Sequence, residues 1–157
     1  MTDLFVACGL LTALLHLTRI DVSQSSMFTK RGAASLTKVS GLKSLNVSWC
    51  DRLDDDGVQL LTALTNLEEL NVSYCRLLTN SALGAIGKLT KLTRLDISGI
   101  IQLTDDGANQ LRALMGLREF NIDMCHNITP AGKVEYRKMI VRHPGPLKIS
   151  TDSIDVD

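Results

Sequence analysis

The stretch that determines the fold is LKSLNVSWCDRLDDDG, residues 42–57. Its first half has apolar side chains at Leu42, Leu45 and Val47, with the polar Asn46 between the last two. This alternation is the period-2 pattern of a strand with one buried face. Its second half has three aspartates before a glycine, and aspartate favours the start of a helix. The stretch therefore predicts a short strand, a turn and the beginning of a helix.

The same pattern recurs with a period of 25 residues, marked by Leu17, Leu42, Leu67, Leu92 and Leu117. When each unit is numbered from its leucine, positions 4 and 6 are apolar in all five units and position 5 is always Asp or Asn. A period between about 20 and 50 residues indicates a solenoid, in which each unit buries its apolar face against its neighbours.

The second half of each unit has the pattern of a helix. Position 13 is Thr or Asp, whose side-chain oxygen can accept a hydrogen bond from a free amide at a helix start. Position 16 is Gly or Ala, which permits a close approach of two backbones, and positions 20 and 23 present bulky, largely apolar side chains. Each unit is therefore predicted to be a strand, a turn and a helix of about two or three turns.

These residues resemble the leucine-rich-repeat family. The segment from Leu42 to Cys50 fits the consensus L-x-x-L-x-L-x-x-N/C, and the segment from Leu92 to Gly107 fits it except for Ile100 at the cysteine position. The cysteines at position 9 resemble the cysteine-containing subclass that is typical of F-box substrate receptors. The resemblance implies an α/β solenoid, with a curved parallel sheet on the concave face and helices on the convex face.

We expect a single leucine-rich-repeat domain over residues 1–150 and an acidic tail over residues 151–157. The domain would contain a partial repeat at residues 1–16 and repeats that begin at residues 17, 42, 67, 92 and 117. Residues 10–14 repeat residues 60–64, so we interpret the start of the chain as a helix without its strand. This leaves an open strand edge near Leu17, which we expect a partner or missing upstream repeats to cover.

The far end of the repeats is predicted to close with a helix and a strand. The last helix is expected from about Pro130, at its first position, to Arg142. Leu147 and Ile149 then predict a short sixth strand, with these side chains at positions 4 and 6. The basic residues of this helix and its exit are interpreted as a solvated face.

Composition argues against several kinds of protein. The 17 basic residues balance the 17 acidic residues, so we expect no nucleic-acid partner. The apolar residues 4–17 are too short to span a bilayer, and they lack the positive charge that precedes a signal-peptide core. Cys50, Cys75 and Cys125 share one repeat position, and Cys8 falls on a predicted buried helix face. All four are therefore interpreted as buried thiols in a reducing, intracellular compartment, which leaves cytoplasm, cilium and mitochondrion open.

No catalytic, cofactor-binding or metal-binding motif is recognisable, and we expect no enzyme activity. The cysteines lack the C-x-x-C spacing of zinc ligands. The aspartates before Gly57 suggest a calcium loop, but the positions that require acidic ligands are Arg52 and Ala63.

Candidate binding residues lie at positions 3, 5, 7 and 8, which we expect on or near the concave surface. Trp49 and Tyr74 occupy position 8 in neighbouring units, and aromatic residues are enriched in binding hot spots. We hypothesise an interface centred on Trp49, Tyr74 and Met124, with charge complementarity from Arg19, Glu69 and Arg94. The alternative is that both aromatic rings pack locally over the sheet edge. The Asp/Asn row at position 5 is interpreted as a generic feature that hydrogen-bonds along the sheet.

The sequence therefore predicts a non-catalytic protein-interaction module. One role is a scaffold or structural subunit within a larger complex, as short repeat proteins of similar type provide. The alternative role is the substrate-recognition part of an F-box-type ubiquitin ligase receptor, whose F-box would lie outside this chain.

Overall fold

A computed structural model describes residues 16–140 and 148–150. Within these ranges six parallel strands form one sheet in chain order, and they are β1 Arg19–Asp21, β2 Ser44–Asn46, β3 Glu69–Asn71, β4 Arg94–Asp96, β5 Glu119–Asn121 and β6 Lys148–Ser150. The segments between them contain α1 Lys30–Leu36, α2 Asp55–Leu61, α3 Asn80–Ile86, a 3₁₀ helix at Asp105–Leu111, and α4 Pro130–Ile140. The predicted α/β solenoid is confirmed. Residues 1–15 of the expected partial repeat, with Cys8, and the tail 151–157 lie outside the described residues.

The strands pair so that each repeat position meets the same position of the next unit. Leu45 pairs with Leu70, and Leu95 pairs with Phe120. Because side chains alternate between the two faces of a strand, this register stacks position 4 into a buried row, while positions 3 and 5 face the other side. Leu42, Leu67 and Leu92 at position 1 are also buried, whereas Leu17 is partly exposed beside the edge strand β1.

From Asp55 onward, the helix starts of neighbouring units are joined by a side-chain contact that we call the inter-repeat clamp. The carboxylate of Asp55 accepts hydrogen bonds from Thr79 N at 2.9 Å and Thr79 Oγ1 at 2.6 Å. Asp105 accepts the same two bonds from Thr129, at 2.8 Å and 2.6 Å. Each clamp therefore connects position 14 of one unit to position 13 of the next and fixes the spacing of consecutive helices.

The clamp at Asn80 differs in the direction of one hydrogen bond. Thr104 N donates to Asn80 Oδ1 at 3.1 Å, so the amide nitrogen of Asn80 faces Thr104 Oγ1 and donates to it at 2.8 Å. Where an aspartate accepts instead, the threonine hydroxyl also caps its own helix, as Thr129 does for Gly132 N at 3.1 Å. Thr104 makes no such cap bond, and the segment that it precedes is a 3₁₀ helix.

Asn80→Asp is therefore expected to raise the free energy of unfolding by about 1 kcal/mol, a typical value for one N-cap hydrogen bond. The carboxylate would accept from Thr104 Oγ1 and leave that oxygen available to the amides of Asp105–Leu111. Urea unfolding followed by circular dichroism measures the change. In a Thr104→Ala background the gain should disappear, and an undiminished gain there would contradict the clamp as its cause.

The sixth strand is confirmed, but its predicted register is wrong. Ile149 pairs with Phe120 and therefore occupies position 4 rather than position 6, which places Lys148 at position 3 and Ser150 at position 5. A displacement of two residues leaves the same side chains on the same face, so the apolar alternation could not distinguish the two registers. The last helix begins at Pro130 as predicted and is described as far as Ile140.

Candidate interaction surface

The open face of the sheet forms a groove of about 500 Å³, which we call the sheet groove. Two polar rows line it on either side of the buried position 4. The position-3 row contains Arg19, Ser44, Glu69, Arg94, Glu119 and Lys148, and the position-5 row contains Asp21, Asn46, Asn71, Asp96, Asn121 and Ser150. Three of the predicted binding residues, Arg19, Glu69 and Arg94, are therefore brought together in one groove.

Glu69 is the central charge of the position-3 row. Arg94 Nη2 donates to Glu69 Oε1, Ser44 Oγ donates to Glu69 Oε2 at 3.0 Å, and Arg19 Nη2 lies 3.7 Å from the same oxygen. The Glu69 side chain is 24% exposed, against 48% for Arg94 and 73% for Arg19. The charged side chains that were predicted to bind a partner therefore contact one another. Their positions in the groove are fixed by these contacts.

The position-5 row holds the strand ends in shape. In each of the five units from Asp21 to Asn121, the side-chain oxygen accepts a hydrogen bond from the backbone amide two residues later, at 2.9 to 3.1 Å. Asn46 also donates to Asp21 at 3.0 Å, and Asn121 donates to Asp96 at 3.2 Å. The amide and hydroxyl of Ser23, followed by Asn46, hold the pKa of Asp21 below its usual value although burial opposes them. The expected hydrogen bonding along the sheet is confirmed for these two pairs.

The expectation for position 7 is wrong in the middle of the solenoid. Ser48, Ser73 and Ser98 are buried and do not line the sheet groove. The backbone turns immediately after them, and their carbonyls accept hydrogen bonds at 2.8 to 2.9 Å from the position-8 amides of the preceding unit. This turn carries position 7 beneath the surface instead of onto it.

Position 8 has a backbone conformation that sequence reasoning missed. Its residues all have positive φ, with 58° at Gln24, 59° at Trp49, 58° at Tyr74, 67° at Gly99 and 59° at Met124. This left-handed region costs L side chains about 1–2 kcal/mol, whereas glycine adopts it readily. Gly99 was the single sequence signal of the turn, because the other four residues give no hint of it.

The Trp49 and Tyr74 rings stack on each other, with centroids 4.1 Å apart and planes inclined by 6°. The Tyr74 ring lies over Gly99, where an added Cβ would come within 2.5 Å of two ring carbons. The rings therefore pack locally, as the alternative interpretation predicts, but 42% of Trp49 remains exposed. Met124 is also exposed, yet it lies one unit beyond Gly99 and outside the described stack.

The predicted interface is thus divided between two surfaces. The charged residues line the sheet groove, whereas Trp49, Tyr74 and Met124 are not among its lining residues. They occupy the turns at the ends of the strands, and we call positions 8 to 11 of the units the strand-end rim. The left-handed turn at position 8 separates the two surfaces.

The position-9 cysteines have a structural role in the described part of the chain. Cys50, Cys75 and Cys125 are buried thiols, and each donates to a carbonyl oxygen of the preceding unit, at 3.4, 3.1 and 3.3 Å respectively. Burial raises the pKa of Cys75 to about 12 and that of Cys125 to about 11. These two thiols therefore stay protonated near neutral pH, which makes them poor nucleophiles and poor metal ligands. The interpretation as buried thiols is confirmed for these three residues.

The aspartates before Gly57 all have structural partners. Asp54 accepts from Gly57 N at 2.9 Å, Asp55 forms the clamp to Thr79, and Asp56 accepts from Lys30 Nζ at 2.7 Å. Within residues 16–140 and 148–150, no group of three or more His, Cys, Asp or Glu residues is arranged to hold a metal ion. No helix in the same ranges has the length and apolar character needed to cross a bilayer.

Comparisons with known proteins agree with this architecture. Residues 42–61 and 63–87 match the family model described as leucine rich repeat. A comparison with curated protein sequences gives no match. The family match therefore falls on the two units that contain Trp49 and Tyr74.

Solved structures share the fold at low sequence identity. A chain of the yeast Rad7 and Elc1 complex aligns at a TM-score of 0.63 and 20% identity, over 81% of this chain and 31% of that chain. Internalin C2 of Listeria monocytogenes aligns at a TM-score of 0.64 and 18% identity, over 92% of this chain and 58% of that chain. The actin-binding site 2 of leiomodin-1 aligns at a TM-score of 0.62 and 15% identity, over 81% of this chain and 80% of that chain. The present chain thus spans about a third of the first of these structures and under two thirds of the second. Together with the 25-residue unit, the parallel sheet and the match over residues 42–61 and 63–87, these likenesses show that the chain has the leucine-rich-repeat fold.

Proposed function

We propose that this chain is a non-catalytic protein-interaction module that binds a protein partner through the sheet groove. The observation that carries the proposal is the order of the groove before any partner binds. Glu69 is held by Arg94 and Ser44, and the position-5 side chains are held by backbone amides. Because these side chains are already fixed, a partner loses little of its binding free energy to ordering them.

The charges of the groove favour a protein partner over nucleic acid. Its lining residues include three cations, Arg19, Arg94 and Lys148, and four anions, Asp21, Glu69, Asp96 and Glu119. Phosphate binding relies on a clear excess of Arg and Lys, whereas a protein segment can match interspersed charges of both signs.

We propose the role of scaffold or structural subunit in a larger complex, inside a reducing compartment where the position-9 thiols persist. The alternative role, as the substrate-recognition part of an F-box-type receptor, is favoured by the cysteines themselves. Their repeated hydrogen bonds to the preceding unit suit the cysteine-containing subclass. One structure of similar fold is a complex of Rad7 with Elc1, so that protein is part of a protein assembly.

The test uses a charge swap that preserves an ion pair. Glu69→Arg with Arg94→Glu keeps opposite charges facing each other but inverts their order in the groove. The matched control is Lys43→Glu with Glu68→Lys, an ion pair of 2.8 Å that does not line the groove. The tagged chain and both swapped variants are used to capture partners from native cells, and each captured protein is then titrated as a purified component.

We expect the groove swap to weaken the native partner by at least about tenfold, because misplaced interface charges typically cost several kcal/mol. The control swap should leave its affinity unchanged. If the partner binds both swapped variants with equal affinity, the sheet groove is not the binding site. Ubiquitin-ligase subunits among the captured proteins would establish the receptor role, and a stoichiometric complex without them would establish the structural one.

A further inference from the structure

Trp49 and Tyr74 occupy backbone positions that a smaller residue would fill at lower cost. Both have φ near +59°, in a region that glycine adopts freely, and Gly99 occupies the equivalent position one unit further on. The backbone conformation therefore gives no reason for an aromatic residue at either position. A costly local conformation that carries a large exposed side chain is a signal of function.

The two rings are held in one arrangement. The Tyr74 ring packs directly over Gly99, where the absence of a side chain leaves room for it. The Trp49 ring in turn stacks parallel on the Tyr74 ring. The stack ends at Trp49, which is 42% exposed. A partner would therefore meet exposed aromatic surface whose orientation is already fixed by the stack.

Each ring also carries a polar hydrogen that the described chain does not use. Within residues 16–140 and 148–150, neither the indole N–H of Trp49 nor the hydroxyl of Tyr74 makes a hydrogen bond. An apolar ligand with carbonyl groups that are free to accept would use both the ring surface and these two donors.

The charges of the same turns select against a cationic ligand. Asp51 and Arg52 follow Trp49, and Arg76 follows Tyr74. Arg76 Nε lies 3.8 Å from Asp51 Oδ1, whereas Arg52 has no ion-pair partner among the described residues. The two turns thus carry two cations and one anion, and this positive balance disfavours a lysine or arginine over the indole and favours an acidic residue nearby.

We propose that the Trp49–Tyr74 stack docks a proline-containing segment of a partner protein, in the polyproline II conformation and flanked by an acidic residue. Polyproline II has no internal hydrogen bonds, so its carbonyls can accept from Trp49 and Tyr74 while its proline rings pack on the indole. Its conformation is already restricted, which limits the ordering cost on binding. The inference rests on the proposed interaction function and specifies the chemistry of the strand-end rim.

The test titrates the full chain with a dye-labelled peptide of one aspartate followed by five prolines, measured by fluorescence anisotropy. Trp49 is the single tryptophan of the chain, so its emission reports contact at the proposed site independently. Two matched peptides replace the prolines by alanine or the aspartate by lysine. We expect the alanine peptide to bind about tenfold more weakly and the lysine peptide to bind several-fold more weakly.

Two rim variants separate the stack from its surroundings. Trp49→Gly suits the positive φ and should fold while losing peptide binding. Leu77→Ala removes another exposed apolar side chain of the rim and should bind as the wild type does. The proposal is overturned if the wild type shows no binding at about 1 mM peptide, the weakest affinity worth calling specific. Equal binding by Trp49→Gly or by the alanine peptide, or tighter binding by the lysine peptide, would overturn it as well.

The groove swap at Glu69 and Arg94 should leave binding of the proline peptide unchanged. Loss of the native partner from that variant, together with no binding of the proline peptide to the wild type, would reject the rim proposal and retain the groove. Peptide binding that requires Trp49, together with full partner binding by the groove swap, would support the rim proposal and reject the groove.

Discussion

Tyr136→Ala is expected to lower the free energy of unfolding by about 3–5 kcal/mol, the range found when a buried aromatic residue becomes alanine. Tyr136 in α4 is 0% exposed, and its ring packs beside Phe120 with centroids 6.2 Å apart. Its hydroxyl donates to Thr104 O at 3.0 Å. Truncation would leave a cavity between the last two units and remove the bond that ties α4 to the preceding helix start.

Tyr136→Phe is the control for this prediction, since it keeps the ring and removes the hydroxyl. Thr104 O also accepts from Gly107 N at 3.1 Å, so the loss should be only about 1 kcal/mol. Burial raises the pKa of Tyr136 above its usual value, so the hydroxyl remains a donor through the neutral range. Urea unfolding of both variants measures the difference. Similar losses for alanine and phenylalanine would mean that the ring is not part of the core.

Gly87→Ala is expected to destabilise the chain by about 3 kcal/mol, at the upper end of the usual cost of overpacking. Gly87 ends α3 with an ordinary helical φ of −58°, so alanine brings no conformational penalty there. Its Cβ, however, would lie 2.1 Å from the backbone oxygen of Gln110, and a backbone atom can move away only if two units separate. The expected loss therefore measures how closely α3 approaches the segment Asp105–Leu111.

Gly84→Ala is the matched control within the same helix. Its Cβ would lie 3.3 Å from Gln110 Oε1, at the end of a flexible side chain that can shift. Alanine is favoured over glycine in a helix by about 0.5–1 kcal/mol, so this variant should be neutral or slightly more stable. Thermal or urea unfolding of both variants decides the matter. A Gly87→Ala protein as stable as Gly84→Ala would contradict the close approach.

The order and spacing of the strands and helices could be predicted from the sequence. The row of leucines and the alternation around Asn46 fix where each strand lies, because position 4 is buried in every central unit. The inter-repeat clamp was not foreseen. Asp55 and Thr79 are both helix-start residues in their own units, so the sequence offered a local explanation for each and concealed the bond between them.

For the candidate site, the sequence predicted which aromatic residues lie next to each other but not that they lie on a different surface from the charged residues. Placing Trp49 and Tyr74 at the same repeat position predicted their adjacency, and their stack confirms it. The separation of these rings from Glu69 depends on the left-handed backbone at position 8. Aromatic residues are uncommon in that conformation, so no propensity argument could have proposed it for Trp49.

The position-3 row also disfavours one way of joining copies of this chain end to end. Among the described residues this row begins with Arg19 in β1 and ends with Lys148 in β6, the two outer strands of the described sheet. A second copy that added its β1 to β6 in register would place Arg19 directly beside Lys148. Like charges at facing positions destabilise a strand pair, so this order of charges opposes the head-to-tail growth of copies into a fibre.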